Sequence, residues 1–303
     1  MKIGIIGIGA MGSLFGGAIK LINGDVKLII RNQKTRLAIE NDGLTLNLDN
    51  GSFKTYPEIV TPHSLHKFDL ILIFTKTNHT EKALKSIQHN ITPKTVLMSL
   101  QNGIGNEKKL NKFVPLSNII YGTSMAPADL VKYGEVTSHG SHSSEFKALG
   151  EVANNYINKI TDLLNKAGLK AYINNDVDQI IWNKVAFNSA MNSICALIRG
   201  TPKEILLNPR LKIFVEKVAE ETCRVAKSIG INVNELKVKK TIELSCKEHG
   251  DHKPSMLQDF LAKKLTEIDS LNGSVIKIGK ENSISTPLNT ALYNLIKAEE
   301  MFF

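Results

Sequence analysis

Residues 1–22 read MKIGIIGIGAMGSLFGGAIKLI, and this stretch decides the fold. Lys2 to Ile6 is a short apolar run that stops at a glycine, the pattern of a buried strand, and Ala10 to Ile22 reads as the helix that follows. Between them Gly7-Ile8-Gly9-Ala10-Met11-Gly12 forms GxGxxG. That pattern alone is weak, but a strand before it and a helix after it make it a dinucleotide-binding signal. Gly7 allows the tight turn, Gly9 lets the backbone approach a pyrophosphate, and Gly12 lets helix and strand pack closely. The helix N-terminus then offers free N–H groups and a positive dipole end to the phosphates.

Outward from this loop, Val26 to Ile30 reads as a second strand, followed by Arg31-Asn32-Gln33. Arg31 stands 19 residues beyond Gly12, where an acidic residue would bond the ribose 2′-hydroxyl of NAD. A guanidinium suits a 2′-phosphate instead, so NADP(H) is the expected cofactor. Strands are also expected at Asp69 to Thr75 and Thr95 to Leu100, with helices over Thr80 to His89 and Asn106 to Phe113. Strand C-termini in such sheets face the ligand crevice. Lys76 ends the first of these strands and is a candidate for the adenosine phosphate or the substrate side. Asn102, in SLQNGIG after the second, is a candidate for the nicotinamide end; a plain Asn-Gly turn is its structural alternative.

Asn118 to Met125, Glu135 to His139 and Phe146 to Gly150 read as later strands, added antiparallel, before a helix over Asn154 to Ala167 and a strand over Lys170 to Asn174. After Asp176 only helical patterns remain: Ile180 to Arg199, Pro209 to Ile229, Val233 to Glu248, Met256 to Ile278 and Pro287 to Met301. Pro202, Pro209, Pro254 and Pro287 mark helix starts. The expectation is an α/β chain with a Rossmann-type dinucleotide-binding domain over 1–175 and an all-helical domain over 176–303.

The helical half holds the second chemical signal, IIWNKVAFNSAMNSICAL. Lys184, Asn188 and Asn192 recur every four residues and share one helix face. Asn is a poor helix-interior residue, and a buried amide without partners costs about 1–3 kcal/mol. A lysine with two amides on a half-buried face points to a grip on a polar ligand. Trp182 is read as a core anchor for this helix.

Composition removes other classes. The net charge of +9 is spread along the chain, and aromatics are only 6 %, too sparse for base-stacking platforms, so no nucleic-acid partner is expected. No apolar run reaches the roughly 18 residues of a membrane span, and with a strand-like pattern at the start no signal peptide is expected. Cys195, Cys223 and Cys246 are scattered and odd in number, which fits a reducing, cytoplasmic setting. The histidines show no metal-ligand spacing, and no metal site is expected.

With these residues in view, the chain resembles the ketopantoate reductase (2-dehydropantoate 2-reductase) family over its whole length. The resemblance rests on GIGAMG, Arg31, the TK at Lys76, QNGIG at Asn102, WNKVAFNSAMN around Lys184, and PSMLQD followed by TEIDSLNG around Glu267. It implies a two-domain enzyme that reduces 2-dehydropantoate to (R)-pantoate with NADPH, on the way to pantothenate and coenzyme A. It makes Lys184 the catalytic acid and Glu267 its support, with Asn102, Asn188, Asn192 and Ser255 as substrate or cofactor contacts. Arg31 and Lys76 become NADPH contacts, and a homodimer through the helical domain is compatible with it.

Glu267 is read here on a helical stretch, KKLTEIDSLNGSVI, where Asp269, two residues on, lies on another face. Ser255 has two readings, a helix-capping residue or a contact for the substrate carboxylate. One departure stands out: His252 in DHKPSM occupies a position where the family often has Asn. The alternatives are therefore a paralogous NADPH-dependent reductase of another 2-oxo acid, an opine-type dehydrogenase, or an NADPH-binding sensor without turnover.

Overall fold

All 303 residues are described in this computed structural model of the chain. They fall into two units, 1–101 with 106–177 and 102–105 with 178–303. Every strand lies in the first. In chain order it contains β1 (Ile3–Ile6), α1 (Ala10–Leu21), β2 (Val26–Ile29), α2 (Gln33–Asp42), β3 (Leu44–Leu48), β4 (Gly51–Thr55), β5 (Glu58–Val60), β6 (Leu70–Ile73) and α3 (Thr80–Ser86). It continues with β7 (Val96–Ser99), α4 (Asn106–Leu110), β8 (Ile119–Ser124), β9 (Asp129–Lys132), β10 (Glu135–Ser138), β11 (Ser144–Ala148), α5 (Glu151–Lys166) and β12 (Ala171–Ile173).

The main sheet runs β12-β11-β8-β7-β6-β1-β2-β5. From β5 to β8 all six strands are parallel, and β11 then runs antiparallel to β8. With the β3–β4 hairpin set aside, this is the doubly wound order 3-2-1-4-5-6. Its direction of winding reverses between β1 and β6, which puts the ligand crevice at their C-terminal ends. The four central strands β1, β6, β7 and β8 are buried along their whole length, as a sheet covered on both faces requires.

The later strands depart from the antiparallel expectation. β8 is parallel to β7, because the chain crosses over through α4; only β11 joins the main sheet antiparallel. β10 belongs to a second sheet, β4-β3-β10-β9, in which β10 pairs parallel with β3. Helix α1 is held between the two sheets by small residues. A Cβ on Gly16 would lie 2.6 Å from Leu28 of β2, and one on Gly17 2.3 Å from Leu46 of β3. Helix α2 and the β3–β4 hairpin have no counterpart in the sequence reading. In α2 only Thr35 and Ile39 are buried, too few for a readable period.

The second unit is helical: α6 (Val177–Ile198), α7 (Pro202–Leu207), α8 (Pro209–Ser228), α9 (Glu235–Glu248), α10 (Ser255–Leu261), α11 (Asn272–Glu281) and α12 (Pro287–Glu300), with α6 entering it from Asp178 onward. Pro202, Pro209 and Pro287 each open a helix, and α7 has a Thr201–Glu204 capping box. Trp182 is 4 % exposed, a core residue of α6. The expected continuous helix over 256–278 is broken. It ends at Leu261 and restarts at Asn272. In between, Thr266, Ile268 and Ser270 are buried while Glu267 and Asp269 are not, an alternation of two rather than a helical period. Lys263 has a φ of +49°, and the side chain of Glu300 takes up the Thr266 N–H and hydroxyl at 2.8 and 2.7 Å. Glu267 is therefore carried on a turn. No helix is long and apolar enough to cross a membrane.

Candidate active site

In the first unit the glycine loop follows β1 at the winding reversal. Gly7 has a φ of +92°, and a Cβ there would lie 2.2 Å from the Thr75 amide nitrogen. A Cβ on Gly12 would lie 2.2 Å from the Gly7 carbonyl oxygen, so helix and loop touch through backbone. Gly9 differs: a Cβ there would meet no protein atom within 4 Å. Gly9 is also the residue before α1, and no side chain caps that helix start. Ile8, Ala10 and Met11 complete the loop, which is tightened by the Gly9 N–H donating to the Gly7 carbonyl at 2.9 Å. This backbone fits a dinucleotide pyrophosphate.

Arg31 follows β2 and is exposed. Its neighbour Asn32 has a structural task, accepting the Thr35 N–H at 3.1 Å as N-cap of α2. Lys76 follows β6, on the other side of β1. The loop bearing it is locked from β7, since Gln101 Nε2 donates to the Thr75 carbonyl at 2.5 Å and the Thr80 hydroxyl at 2.9 Å. Gln101 escaped the sequence reading, which singled out only Asn102 beside it. His79 escaped it too. Burial, then Arg31, Lys76 and Lys82, push its pKa below the ordinary histidine value. Arg31 and Lys76 thus form a cationic patch suited to a phosphate, and their charge, with burial, favours the neutral imidazole of His79 beside them.

In the second unit Lys184, Asn188 and Asn192 lie along α6. Asn188 and Asn192 are 8 % and 6 % exposed, and Lys184 is partly covered. Burial pushes the Lys184 ammonium from 10.5 down to about 8, with the Glu267 carboxylate pulling it back up. Lys184 and Glu267 are therefore brought into electrostatic contact. Asn102 joins them, since its Nδ2 donates to Glu267 Oε2 at 3.4 Å. The segment 102–105 is stitched to the same turn. The Ile104 N–H donates to the Ser270 carbonyl at 3.2 Å, and Gly103, with a φ of +88°, leaves no room for a Cβ beside Ser270. Asp269 bonds the Tyr293 hydroxyl at 2.8 Å and pairs with Lys297, so it serves the scaffold. Ser255 is the exposed first residue of α10. Pro254, not Ser255, holds the N-cap position, and no hydrogen bond ties Ser255 to Lys184 or Glu267.

Comparison with known proteins identifies the family. The family described as "Ketopantoate reductase PanE/ApbA" matches residues 3–151, and "Ketopantoate reductase PanE/ApbA C terminal" matches residues 176–300. A 2-dehydropantoate 2-reductase of Pyrococcus abyssi is 33 % identical over 303 residues, covering 99 % of this chain and 98 % of the relative. The chain belongs to the ketopantoate reductase family. Another 2-dehydropantoate 2-reductase, from Streptococcus pyogenes serotype M18, is 30 % identical over 301 residues, with the same coverage. Among solved structures, D-mandelate dehydrogenase with NADH and anilino(oxo)acetate superposes with a TM-score of 0.94 at 33 % identity, covering 100 % of this chain and 99 % of that one. Family membership makes the chain an oxidoreductase with a nicotinamide dinucleotide cofactor.

Proposed function

We propose that this enzyme reduces 2-dehydropantoate to (R)-pantoate with NADPH, a step toward pantothenate and coenzyme A. The observation that carries the reading is Lys184, desolvated and coupled to Glu267, on the face of α6 that also bears Asn188 and Asn192.

When bound, a reduced nicotinamide would supply the hydride. The Lys184 ammonium hydrogen-bonds the keto oxygen, polarises the carbonyl, and gives its proton to that oxygen as charge develops there. A pKa of about 8 suits this task, because the group is charged at neutral pH yet gives up its proton more readily than an ordinary lysine. Glu267 favours the charged form of Lys184 and accepts a hydrogen bond from a substrate hydroxyl. The Asn188 and Asn192 amides and the Ser255 hydroxyl hold the remaining polar groups, and Asn102 orients Glu267. Arg31 and Lys76 hold the 2′-phosphate, which makes NADPH the preferred cofactor. A cytoplasmic homodimer completes the proposal; molar mass in solution tests the dimer.

The likeness to D-mandelate dehydrogenase supports a second reading, reduction of another 2-oxo acid with an aromatic or bulkier side chain. His252, in place of the family's common Asn, is the residue of this chain that would reshape the pocket. The test is initial-rate measurement of nicotinamide oxidation with 2-dehydropantoate and a panel of 2-oxo acids, each with NADPH and NADH. Fast turnover of 2-dehydropantoate with NADPH supports the first reading. Preference for an aromatic 2-oxo acid replaces it with the second. NADPH binding without any turnover would make the protein a sensor.

A further inference from the structure

The Glu267 turn is anchored at both ends, and the two anchors differ. At its start, Thr266 is clamped by Glu300 of α12. At its end stands Asn272, 0 % exposed, the first residue of α11. Its Nδ2 donates to the Ser189 carbonyl of α6 at 3.0 Å and to Asn289 Oδ1 of α12 at 3.0 Å, and its Oδ1 accepts from the Ser193 hydroxyl of α6 at 3.3 Å. Ser189 and Ser193 each directly follow an asparagine of the α6 stripe, Asn188 and Asn192.

The network continues inward. Asn289 Nδ2 donates to Glu221 Oε1 at 2.9 Å and to the Thr222 hydroxyl at 3.3 Å, and the Thr222 and Ser189 hydroxyls lie 3.1 Å apart. Glu221, 1 % exposed on α8, also accepts the backbone N–H groups of Leu288 and Asn289 at 3.2 and 2.8 Å. Its carboxylate sits at the positive end of α12. Both donors of Asn272 and both of Asn289 are used. A satisfied buried network of this kind admits one geometry and penalises others, because displacing a member orphans its partners.

We propose that Asn272 is a positioning residue that ties the turn carrying Glu267 to helix α6 and thereby sets the spacing of Glu267 from Lys184. The assignment rests on the roles given above to Lys184 and Glu267. It explains why a primary amide stands there: only an amide donates twice and accepts from Ser193 at one point. The Glu267 carbonyl accepts the Ser270 and Leu271 N–H groups at 3.0 and 3.1 Å, so displacement at Asn272 is passed up a short, rigid turn.

The test uses the full-length protein and three variants, Asn272→Ala, Ser193→Ala and, as a control, Val275→Ala, which opens a cavity in α11 without cutting the link. The first readout needs no substrate: the pH dependence of Lys184 labelling by trinitrobenzenesulfonate, read by peptide mass mapping. The second is kcat and KM. Asn272→Ala should move the Lys184 labelling midpoint to lower pH by about half a unit or more, because Glu267 withdraws its support. It should cut kcat about 10–100-fold, with KM for NADPH within about two-fold. Ser193→Ala should move both in the same direction by less, and Val275→Ala should lower Tm without moving the midpoint. A folded Asn272→Ala with the parental midpoint and kcat overturns the proposal, as does a control that shifts equally. If Asn272→Ala does not fold, Ser193→Ala decides, and an unmoved midpoint overturns it. A shifted midpoint in a protein that reduces no 2-oxo acid keeps the positioning role and removes the functional reading instead.

Discussion

The two halves of the chemistry are built from different materials. The cofactor cradle is made of backbone, and what specifies it is missing side chains: Cβ atoms at Gly7 and Gly12 would collide with main chain, and one at Gly9 would project into open space. The Lys184 cluster is made of side chains delivered by separate segments, with Asn102 bonding Glu267 across 165 residues. A backbone site needs only local sequence, so it can be read locally. A side-chain site depends on how helices and turns are fixed to each other, so it inherits every anchor in its unit, the buried Asn272–Asn289–Glu221 network included. Mutations should therefore separate binding from chemistry by region.

The largest separation is expected from Lys184→Ala. Turnover should fall by about 10²–10⁴-fold, the usual range for a lost general acid, while NADPH affinity measured by calorimetry stays within about two-fold. An equal loss in both would mean the two regions do not act independently. Next, Arg31→Glu should weaken NADPH by about 30-fold or more and leave NADH nearly unchanged, because a carboxylate replaces the partner of the 2′-phosphate. Equal weakening of both would show that Arg31 does not read that phosphate.

The glycines sharpen the comparison within one loop. Gly9→Ala should keep the parental Tm yet lose about ten-fold in NADPH affinity, since its methyl meets only the ligand's space. Gly12→Ala should cost about 1–3 kcal/mol of stability, because its methyl meets the Gly7 carbonyl. Thermal melting beside NADPH titration distinguishes the two.

The smallest effects are those of pH. Reduction should slow as pH rises through about 8, where Lys184 loses its proton, and Glu267→Gln should move that limb to lower pH. Stability follows with a definite sign. The folded-state pKa of Lys184 lies below its ordinary 10.5, so the unfolded chain binds this proton more tightly between about 8 and 10.5. Lys184 therefore destabilises the fold below pH 8, and the penalty fades as pH rises toward 10.5. Lys184→Met should melt higher than the parent at pH 7, with the gap closing at alkaline pH.

How much was legible follows the same division. The glycine loop, the parallel strands around it and the long helices α6 and α8 could be read, because strand runs and helical stripes are local patterns. Helix α2 and strand β4 could not, since they bury few residues and carry weak periodicity; β3, with Leu44 and Leu46 fully buried in alternation, carried a short period-two signal that the sequence reading passed over. The stretch 256–278 misled because its helix-forming composition is overridden by the Glu300 clamp on Thr266, a contact with another helix. Gln101 and His79 gave no signal, as nothing near them in sequence shows that one locks the Lys76 loop and the other lies beside Arg31 and Lys76.

The sequence by itself determined the dinucleotide cradle, the arginine after β2 and the Lys-Asn-Asn stripe, because steric permission at glycine and the period of a helix are properties of adjacent residues. Only the tertiary structure decided that Glu267 rides on a turn, that Asn102 reaches it, and that burial brings Lys184 down to about 8. Desolvation and charge coupling depend on distances between segments remote in the chain, and those distances exist only after the helices have packed.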